Sequence, residues 1–355
     1  MTKTKNKSNK NSALNPAATI LASDTPTAIT QNVTTPPDNK SVSTATAATC
    51  TPSPNPIEII GLTKDYGSGQ GVFDINLSIK KGEMVGFVGT NGSGKTTTIR
   101  SILGFIKPTS GKCLVFGKNS WEHADEVAHY IGYVPGEIDF PDLPTGTAFL
   151  KSQAEFLGVT DMTATNALIS KLQLDPRANL KRMSKGMKQK TALVSALISD
   201  AEILILDEPT TGLDPLMRLA FIDIIKAEHG KGKTILMSSH MFSEMEDTCD
   251  RVALISNGHI IDVADMNAIR NRPEKDFKIE FNNTENYLDF KALGYTIIRD
   301  QPQYNQVTVE LKGDQINKLF SDLSRFDVKF ISEVKYTLEK HFKEILKTKK
   351  ENENV

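Results

Sequence analysis

Residues 89–96 form a glycine-rich run that ends in a lysine and a threonine. In order they are Gly89, Thr90, Asn91, Gly92, Ser93, Gly94, Lys95 and Thr96, which fit the pattern G-x-x-x-x-G-K-[ST]. Glycines let backbone N–H groups turn inward around phosphate oxygens, and a helix starting near Lys95 points its positive end at the same place. In such loops the lysine reaches the β- and γ-phosphates and the threonine hydroxyl binds Mg²⁺. The run therefore predicts a nucleoside triphosphate site, because a plain strand-to-helix turn would require neither Lys95 nor Thr96.

Two neighbouring carboxylates follow a wholly apolar stretch in the middle of the chain. Ile203–Leu206 lead directly into Asp207 and Glu208. Asp207 has the position from which phosphate-loop enzymes hold Mg²⁺. Glu208 would then lie beside the γ-phosphate and polarise the attacking water. Many strands end in acids, so the pair gains its meaning from the glycine-rich run. Together the two features predict hydrolysis of the bound triphosphate.

The elements that must position these residues alternate between strands and helices. Strands are predicted at Ile57–Ile60, Val72–Ile79, Glu83–Val88, Ala201–Leu206, Lys233–Ser238 and Arg251–Ser256. Thr96–Phe105 has helical character, and further helical patterns separate the later strands. The alternation predicts an α/β fold with a parallel sheet covered on both faces. His240 follows one strand directly, at the sheet edge where ligands bind in open α/β folds.

The chain divides into four predicted segments. Residues 1–56 contain 12 Thr, 6 Ser and 7 Pro but no aromatic residue, which predicts a disordered tail. Residues 57–270 form the α/β domain, interrupted at about 141–195 by a mainly helical subdomain. Residues 271–346 predict a small α+β appendage. Residues 347–355 are charged and predict a frayed end.

Within the appendage, strands are predicted at Phe277–Phe281, Tyr295–Arg299 and Val307–Leu311, and helices at Ile316–Phe326 and Leu338–Leu346. Thr337 is the expected N-cap of the last helix.

Charge, cysteine content and hydropathy narrow the class of protein. The net charge of −1 shows no strong basic or acidic balance that would point to nucleic acid or an acidic partner. The three cysteines (Cys50, Cys113 and Cys249) lack metal-ligand spacing and predict free thiols in a reducing compartment. No apolar run approaches the roughly 18 residues that span a bilayer. We therefore expect a chain that does not cross a membrane by itself.

Four further motifs carry a family resemblance. Residues 207–215 read D-E-P-T-T-G-L-D-P, residues 238–240 read S-S-H, residues 183–190 read M-S-K-G-M-K-Q-K, and Tyr66 precedes the glycine-rich run. With that run, they resemble the nucleotide-binding subunit of an ATP-binding cassette (ABC) transporter over about Ile57 to Asp265. The resemblance implies a P-loop NTPase core with an inserted helical subdomain, and ATP and Mg²⁺ as cofactors.

The resemblance also assigns roles to individual residues. His240 is the switch histidine that closes on the γ-phosphate, although a satisfied core histidine is the alternative. Tyr66 stacks on adenine, or is simply a packing aromatic. Ser184 caps a helix that, with Gly186, faces the γ-phosphate of ATP held by a partner subunit. Asp214 belongs to the loop that follows the second carboxylate, and Thr97 extends the phosphate loop.

Two places depart from the family pattern. The usual signature Leu-Ser-Gly-Gly-Gln is replaced at three positions by Met183, Lys185 and Met187, a variant similar to those of the drug and antibiotic exporter branch. The closing segment 336–342 resembles the same branch. In residues 133–137, Gly136 stands where the family has glutamine. Glu137 is either a substitute ligand to a magnesium-bound water or a solvated loop acid.

The resemblance implies an energy-coupling ATPase of an ABC exporter, cytoplasmic and peripheral on the inner face of the cell membrane. Its expected partners are integral membrane permease subunits and a second ATP-binding subunit in a homo- or heterodimer. One alternative is a soluble ABC ATPase of translation or DNA maintenance, which usually carries two cassettes or a long coiled-coil insertion. The other is a low-turnover nucleotide-binding regulatory partner, which the altered signature and Gly136 suggest.

Overall fold

A computed structural model describes residues 55–313 and 315–353. Apart from residues 55 and 56, the predicted disordered tail lies outside the described residues, as does Cys50. The strands are β1 (Ile57–Asp65), β2 (Gly71–Ile79), β3 (Met84–Val88), β4 (Ser110–Val115), β5 (Lys118–Asn119), β6 (Ile131–Val134), β7 (Ile203–Asp207), β8 (Thr234–Ser239), β9 (Arg251–Ser256), β10 (His259–Asp265), β11 (Glu274–Phe281), β12 (Thr296–Gln301), β13 (Gln306–Lys312) and β14 (Val328–Val334). The helices are α1 (Lys95–Ile102), α2 (Ala124–Ala128), α3 (Gly146–Phe156), α4 (Thr163–Lys171), α5 (Lys185–Ile198), α6 (Pro215–Gly230), α7 (Phe242–Thr248), α8 (Met266–Arg270), α9 (Thr284–Lys291), α10 (Gln315–Leu323) and α11 (Leu338–Glu353).

A six-stranded sheet in the order β10-β9-β3-β8-β7-β6 forms the centre of the molecule. Strands β9, β3, β8, β7 and β6 run parallel, and β10 pairs antiparallel with β9 at one edge. Every residue of β3, β7 and β8 is buried. Such continuous burial is what a parallel strand covered on both faces requires. The predicted α/β core is confirmed.

A second, antiparallel sheet in the order β2-β1-β4-β5 packs beside the first. The sequence places Ile57–Ile60 and Val72–Ile79 among strands of one parallel sheet, but β1 and β2 pair antiparallel here, so that part of the prediction is wrong. Only residues 66–70 join β1 to β2, and so short a connection permits an antiparallel pair but not a parallel crossover. Strands β4, β5, β6 and β10 were not predicted; β5 and β6 have only two and four residues, and half of β4 is exposed.

The inserted subdomain consists of α3, α4 and α5, which lie within or just beyond the predicted range 141–195. Helices α3 and α4 both pack on α5, and α5 also contacts β6. The side chains of Thr145 and Ser184 cap α3 and α5 by accepting hydrogen bonds from Ala148 N and Met187 N. Capping satisfies N–H groups that a helix end leaves unpaired. These two caps therefore define where α3 and α5 begin.

The appendage is a four-stranded antiparallel sheet in the order β12-β13-β11-β14. Residues such as Phe281, Phe290, Val307 and Leu319 form its own hydrophobic core. Strand β14 and helix α9 were not predicted. Most of β14 is exposed, so its sequence lacks the alternation that marks a half-buried strand.

The last helix, α11, differs from its prediction in length and in packing. It continues through the predicted frayed segment to Glu353, with Lys343–Glu339 and Lys347–Glu351 ion pairs one turn apart. Leu338 and Phe342 are buried in the core cluster of the α/β domain, not in that of the appendage. The α+β appendage thus ends near Val334, and α11 returns to the domain that precedes it. Among residues 55–313 and 315–353, no helix has both the length and the hydropathy of a bilayer span.

Candidate functional site

The glycine-rich loop joins the buried strand β3 to helix α1. Gly94 is the N-cap of α1 and has φ 112°, a left-handed value that glycine adopts without strain. A Cβ on Gly89 would lie 2.3 Å from the Ile255 carbonyl oxygen, so only glycine fits there. The Lys95 ammonium donates hydrogen bonds to the Gly89 and Thr90 carbonyl oxygens over 2.9 and 3.2 Å. The loop therefore encloses a nearly buried cation at the N-terminus of a helix, which is an arrangement suited to anions.

The two carboxylates lie at the end of β7, next to the end of β8. Asp207 is fully buried, and the Ser238 hydroxyl donates a 2.6 Å hydrogen bond to its Oδ1. The same hydroxyl accepts from the Glu208 backbone N–H over 3.0 Å. Asp207 Oδ2 is buried without a hydrogen-bond partner among the described residues. An unsatisfied buried carboxylate oxygen is costly, and a divalent cation would satisfy it.

Glu208 has a left-handed backbone, with φ 48°. This conformation costs a non-glycine residue about 1–3 kcal/mol and is typical of functional sites. It turns the carboxylate toward two basic groups: Oε1 lies 3.5 Å from Lys95 Nζ, and Oε2 lies 3.5 Å from His240 Nδ1. His240 directly follows β8 and is half exposed. The structure thus brings together three predicted residues from three separate parts of the sequence.

An open cleft of about 900 Å³ is lined by Lys95 and Glu208 of this group, but not by His240. Its lining includes ten of the residues predicted for the site: Tyr66, Asn91, Gly92, Gly94, Lys95, Thr96, Thr97, Glu137, Asp207 and Glu208. Gly89, Thr90 and Ser93 belong to the same loop but do not line the cleft; Gly89 and Ser93 are buried, and Thr90 is exposed. The prediction missed Arg100 and Asn257, which also line the cleft, as does Lys185 of the signature run. Arg100 and Asn257 lie outside the motifs, although Arg100 is one helical turn beyond Thr96.

Tyr133 is a further unpredicted neighbour of the carboxylates. Burial raises the pKa of its phenol far above the usual range, the Asp207 charge raises it further, and Arg100 opposes both. The phenol is therefore protonated at every physiological pH. It adds no negative charge beside Asp207.

Gly136 and Glu137 follow β6 and cross the cleft near Asp207. A Cβ on Gly136 would lie 3.3 Å from Asp207 Oδ2, so glycine allows the chain to pass closely over that oxygen. Glu137 lines the cleft. Its position is compatible with both alternatives, a ligand to a metal-bound water and a solvated acid.

Ser184, Gly186 and Asp214 do not line the cleft of their own chain. A Cβ on Gly186 would lie 2.7 Å from the Gly212 carbonyl oxygen, so the start of α5 packs tightly against the loop that precedes α6. Asp214 caps α6 by accepting a 3.0 Å hydrogen bond from Met217 N. These three residues therefore lie beside the cleft, whose lining includes their neighbours Lys185 and Thr211.

Comparison with known proteins identifies the class. The sequence profile of the ABC transporter family matches residues 72–211. The bacitracin transport ATP-binding protein BcrA of Bacillus licheniformis is 33% identical over 277 residues, covering 76% of this chain and 86% of that protein. The Nod factor export ATP-binding protein I of Burkholderia orbicola is 35% identical, covering 58% of this chain and 69% of that protein. The chain belongs to the family of ABC transporter ATP-binding proteins.

Solved structures agree with this assignment. An ATP-binding subunit of an ABC transporter is 28% identical and superposes with a TM-score of 0.55, over 61% of this chain and 92% of that one. A bacterial ABC transporter cassette solved as a dimer shares the fold, with a TM-score of 0.53 and 21% identity over 59% of this chain and 98% of that one. The P-loop NTPase core is confirmed, and the protein is an ATP-binding, ATP-hydrolysing subunit of the ABC class.

Proposed function

We propose that this ATPase drives an exporter by binding and hydrolysing MgATP between two cassettes that pair head to tail. The observation that carries the proposal is the position of the Glu208 carboxylate, 3.5 Å from both Lys95 Nζ and His240 Nδ1. In this position Glu208 can act as a general base that orients a water, while Lys95 and His240 stabilise charge on the γ-phosphate. The presence of all three residues argues against a regulatory partner with little turnover.

Thr96 and Asp207 would hold Mg²⁺. The fit rests on the unpartnered Asp207 Oδ2 and on the oxygen donors that Mg²⁺ prefers. When bound, the ion neutralises charge that develops on the phosphates. The Ser238 hydroxyl donates a 2.6 Å hydrogen bond to Asp207 Oδ1, so Oδ2 is the oxygen that would face Mg²⁺.

The remaining groups bind and orient the nucleotide. Lys95 and the backbone N–H groups of residues 89–97 would hold the phosphates. Tyr66 is 55% exposed at the cleft rim, so one ring face is free to stack on adenine. Lys64 Nζ lies 5.5 Å from the ring centroid and would favour a fixed ring orientation.

The cluster of Ser184, Gly186 and Asp214 would complete the site of a second cassette. Ser184 begins α5, whose positive end can face the γ-phosphate bound by the partner. Lys185, which also lines its own cleft, adds a positive charge at the same end. Because Ser184, Gly186 and Asp214 do not line that cleft, a head-to-tail pair is the arrangement in which they would reach a bound nucleotide.

The exporter assignment and the partners rest on the relatives named for bacitracin transport and Nod factor export. Integral membrane permeases would dock on residues 141–195, where Phe156 and Leu157 are exposed. The protein would then lie in the cytoplasm, peripheral on the inner face of the cell membrane. The transport relatives leave a soluble ATPase of translation or DNA maintenance without support.

Replacing Glu208 by glutamine tests the proposed role of the carboxylate. We expect Glu208→Gln to retain ATP binding and to lower kcat at least about a hundredfold, as loss of a general base does. Glu202→Gln is the matched control, because Glu202 lies just before the opposite end of β7 with its side chain 59% exposed. Steady-state phosphate release and a nucleotide-binding titration measure the two quantities. Turnover near wild type in Glu208→Gln would refute the assignment.

A further inference from the structure

We propose that Glu244 is a positioning residue, which holds the loop that carries His240 and the loop that follows Glu208 in one arrangement. The inference rests on the proposed function, because it assumes that His240 and Glu208 act together on the γ-phosphate. Glu244 lies in the first turn of α7 and is 6% exposed. A carboxylate so far removed from water requires strong partners.

One oxygen of Glu244 accepts two hydrogen bonds from two different loops. Its Oε2 accepts from the Ser239 hydroxyl over 2.9 Å and from the Thr210 hydroxyl over 3.0 Å. Ser239 and Thr210 are 2% and 5% exposed. Both contacts are therefore shielded from competition with water, which strengthens them.

The Ser239 contact fixes the chain on both sides of His240. Ser239 immediately precedes the histidine, and its hydroxyl oxygen also accepts a 2.9 Å hydrogen bond from Met241 N. The Glu244 carboxylate thus orients the Ser239 hydroxyl, which in turn is hydrogen-bonded to the residue on the other side of the histidine. The imidazole itself is half exposed, so its backbone anchors, more than its own packing, determine where it lies.

The Thr210 contact reaches the other loop. Thr210 is two residues beyond Glu208, and its neighbour Thr211 has its hydroxyl 3.4 Å from Glu208 Oε2. Through Glu244, the chain after Glu208 and the chain around His240 share one acceptor. The 3.5 Å separation of Glu208 Oε2 and His240 Nδ1 therefore depends on Glu244, whose carboxylate is hydrogen-bonded to Ser239 and Thr210.

Helix capping is the competing explanation. Glu244 is the third residue of α7, and its contact with Ser239 passes to Met241 N, the N-cap position. Such a relay would stabilise the helix start. Capping, however, gives no reason for the Thr210 contact, and it predicts a loss of stability without a specific effect on catalysis.

Three substitutions at Glu244 separate geometry from charge. Glu244→Ala should lower kcat at least about tenfold while the KM for ATP stays within about threefold, since the loss affects positioning and not nucleotide binding. Glu244→Gln keeps an oxygen at the same reach and should retain about half of kcat or more. Glu244→Asp keeps the charge but is one methylene shorter, so it should behave like the alanine variant. Equal kcat in all three variants and wild type would overturn the proposal.

Thr248→Ala is the matched control for disturbance of α7. The Thr248 hydroxyl donates a 2.6 Å hydrogen bond to the Glu244 backbone carbonyl oxygen. Its removal weakens the same helix but leaves both carboxylate contacts in place. We expect kcat of Thr248→Ala to stay within about twofold of wild type at temperatures where it is folded. A loss as large as that of Glu244→Ala would favour the capping explanation.

A double-mutant cycle decides whether Glu244 acts through His240. If it does, adding Glu244→Ala to His240→Ala should lower kcat by less than about twofold further, because the histidine is already absent. Measuring hydrolysis with labelled ATP and enzyme in excess detects the low rates. A full additional tenfold loss in the double variant would refute the inference. Should Glu208→Gln remain active, the proposed function fails; should it be inactive while the cycle is additive, only the positioning role fails.

Discussion

At the residue scale, Glu208 has a strained backbone that hydrogen bonds to the neighbouring strand hold in place. Its φ of 48° is left-handed, and its backbone N–H is held by both the hydroxyl and the carbonyl of Ser238. The neighbouring strand therefore stabilises a conformation that the residue would not adopt alone. The result is a carboxylate directed into the cleft beside Lys95, while Asp207 remains buried behind it.

Metal dependence provides a residue-scale prediction. Asp207→Asn should raise the Mg²⁺ concentration for half-maximal ATPase activity at least about tenfold, because a neutral amide binds a hard cation more weakly than a carboxylate. Titration of Mg²⁺ at fixed ATP measures the shift. Glu202→Gln again serves as the control. An unchanged Mg²⁺ requirement would show that Asp207 does not help to bind Mg²⁺.

The sequence motifs predicted those cleft residues that lie within a short, recognisable run, such as Lys95, Asp207 and Glu208. It did not reveal Ser238 as the partner of Asp207, nor Glu244 as the partner of Ser239 and Thr210. Hydrogen bonds between residues about 30 positions apart arise only when the parallel sheet aligns the strand ends. Serine, threonine and glutamate are also too common on surfaces to draw attention in a sequence.

At the scale of elements, an ion-pair cluster connects the end of α6 to the start of β8. Glu228 binds Lys231 over 2.6 Å and the nearly buried Lys233 over 2.9 Å, and Lys233 also binds Asp200. Burial raises the pKa of Glu228, but the hydrogen bonds and charges of the two lysines outweigh it, so the pKa is lowered overall. The ionised carboxylate therefore stabilises the folded state.

This cluster predicts a pH-dependent stability. A lowered folded-state pKa contributes stability above the unfolded value of about 4.3, and the contribution is lost as pH falls through the folded-state pKa. Glu228→Gln should therefore be less stable than wild type at pH 7, and the difference should shrink as pH falls below about 4.3. Urea unfolding at a series of pH values measures both. A difference that is constant with pH would mean that packing, not charge, is responsible.

Helix α11 gives a second prediction at this scale. Leu338 is fully buried, its backbone N–H donates a 2.5 Å hydrogen bond to Glu246 Oε1, and the Phe342 ring lies 5.6 Å from that of Phe242. Leu338→Ala should lower the free energy of unfolding by about 2–5 kcal/mol. Lys347→Ala, with a side chain 80% exposed on the same helix, should change it little. Equal stability of the two variants would contradict the packing described.

The hydrophobic pattern predicted that the segment from Leu338 is helical, with Thr337 as its cap, and Lys340 N does donate to the Thr337 hydroxyl over 3.2 Å. The same pattern could not tell which core the helix joins. An amphipathic face indicates that a helix packs somewhere, whereas the choice of surface depends on contacts with residues almost 100 positions earlier.

At the scale of the whole molecule, ATP should join two cassettes. In Glu208→Gln, which binds without turnover, ATP should convert a monomer to a dimer, as measured by sedimentation. Adding Lys185→Glu should abolish that dimer, because a negative charge would then face the γ-phosphate of the partner site. Lys185 also lines its own cleft, so a nucleotide-binding titration must show that the variant still binds ATP. Lys171→Glu is a charge-matched control on the exposed side of α4. Dimerisation that survives Lys185→Glu would place the interface elsewhere.

The return of α11 to the α/β domain has a consequence for how the protein is made. A ribosome synthesises Leu338 and Phe342 only after the whole appendage, yet both belong to the core that surrounds α7. Until those residues emerge, the α/β domain exposes an apolar groove next to the helix that follows His240. Chains that stop early would keep that groove open and be recognised by chaperones and proteases. The cell would thus accumulate cassettes whose translation had been carried through at least to α11.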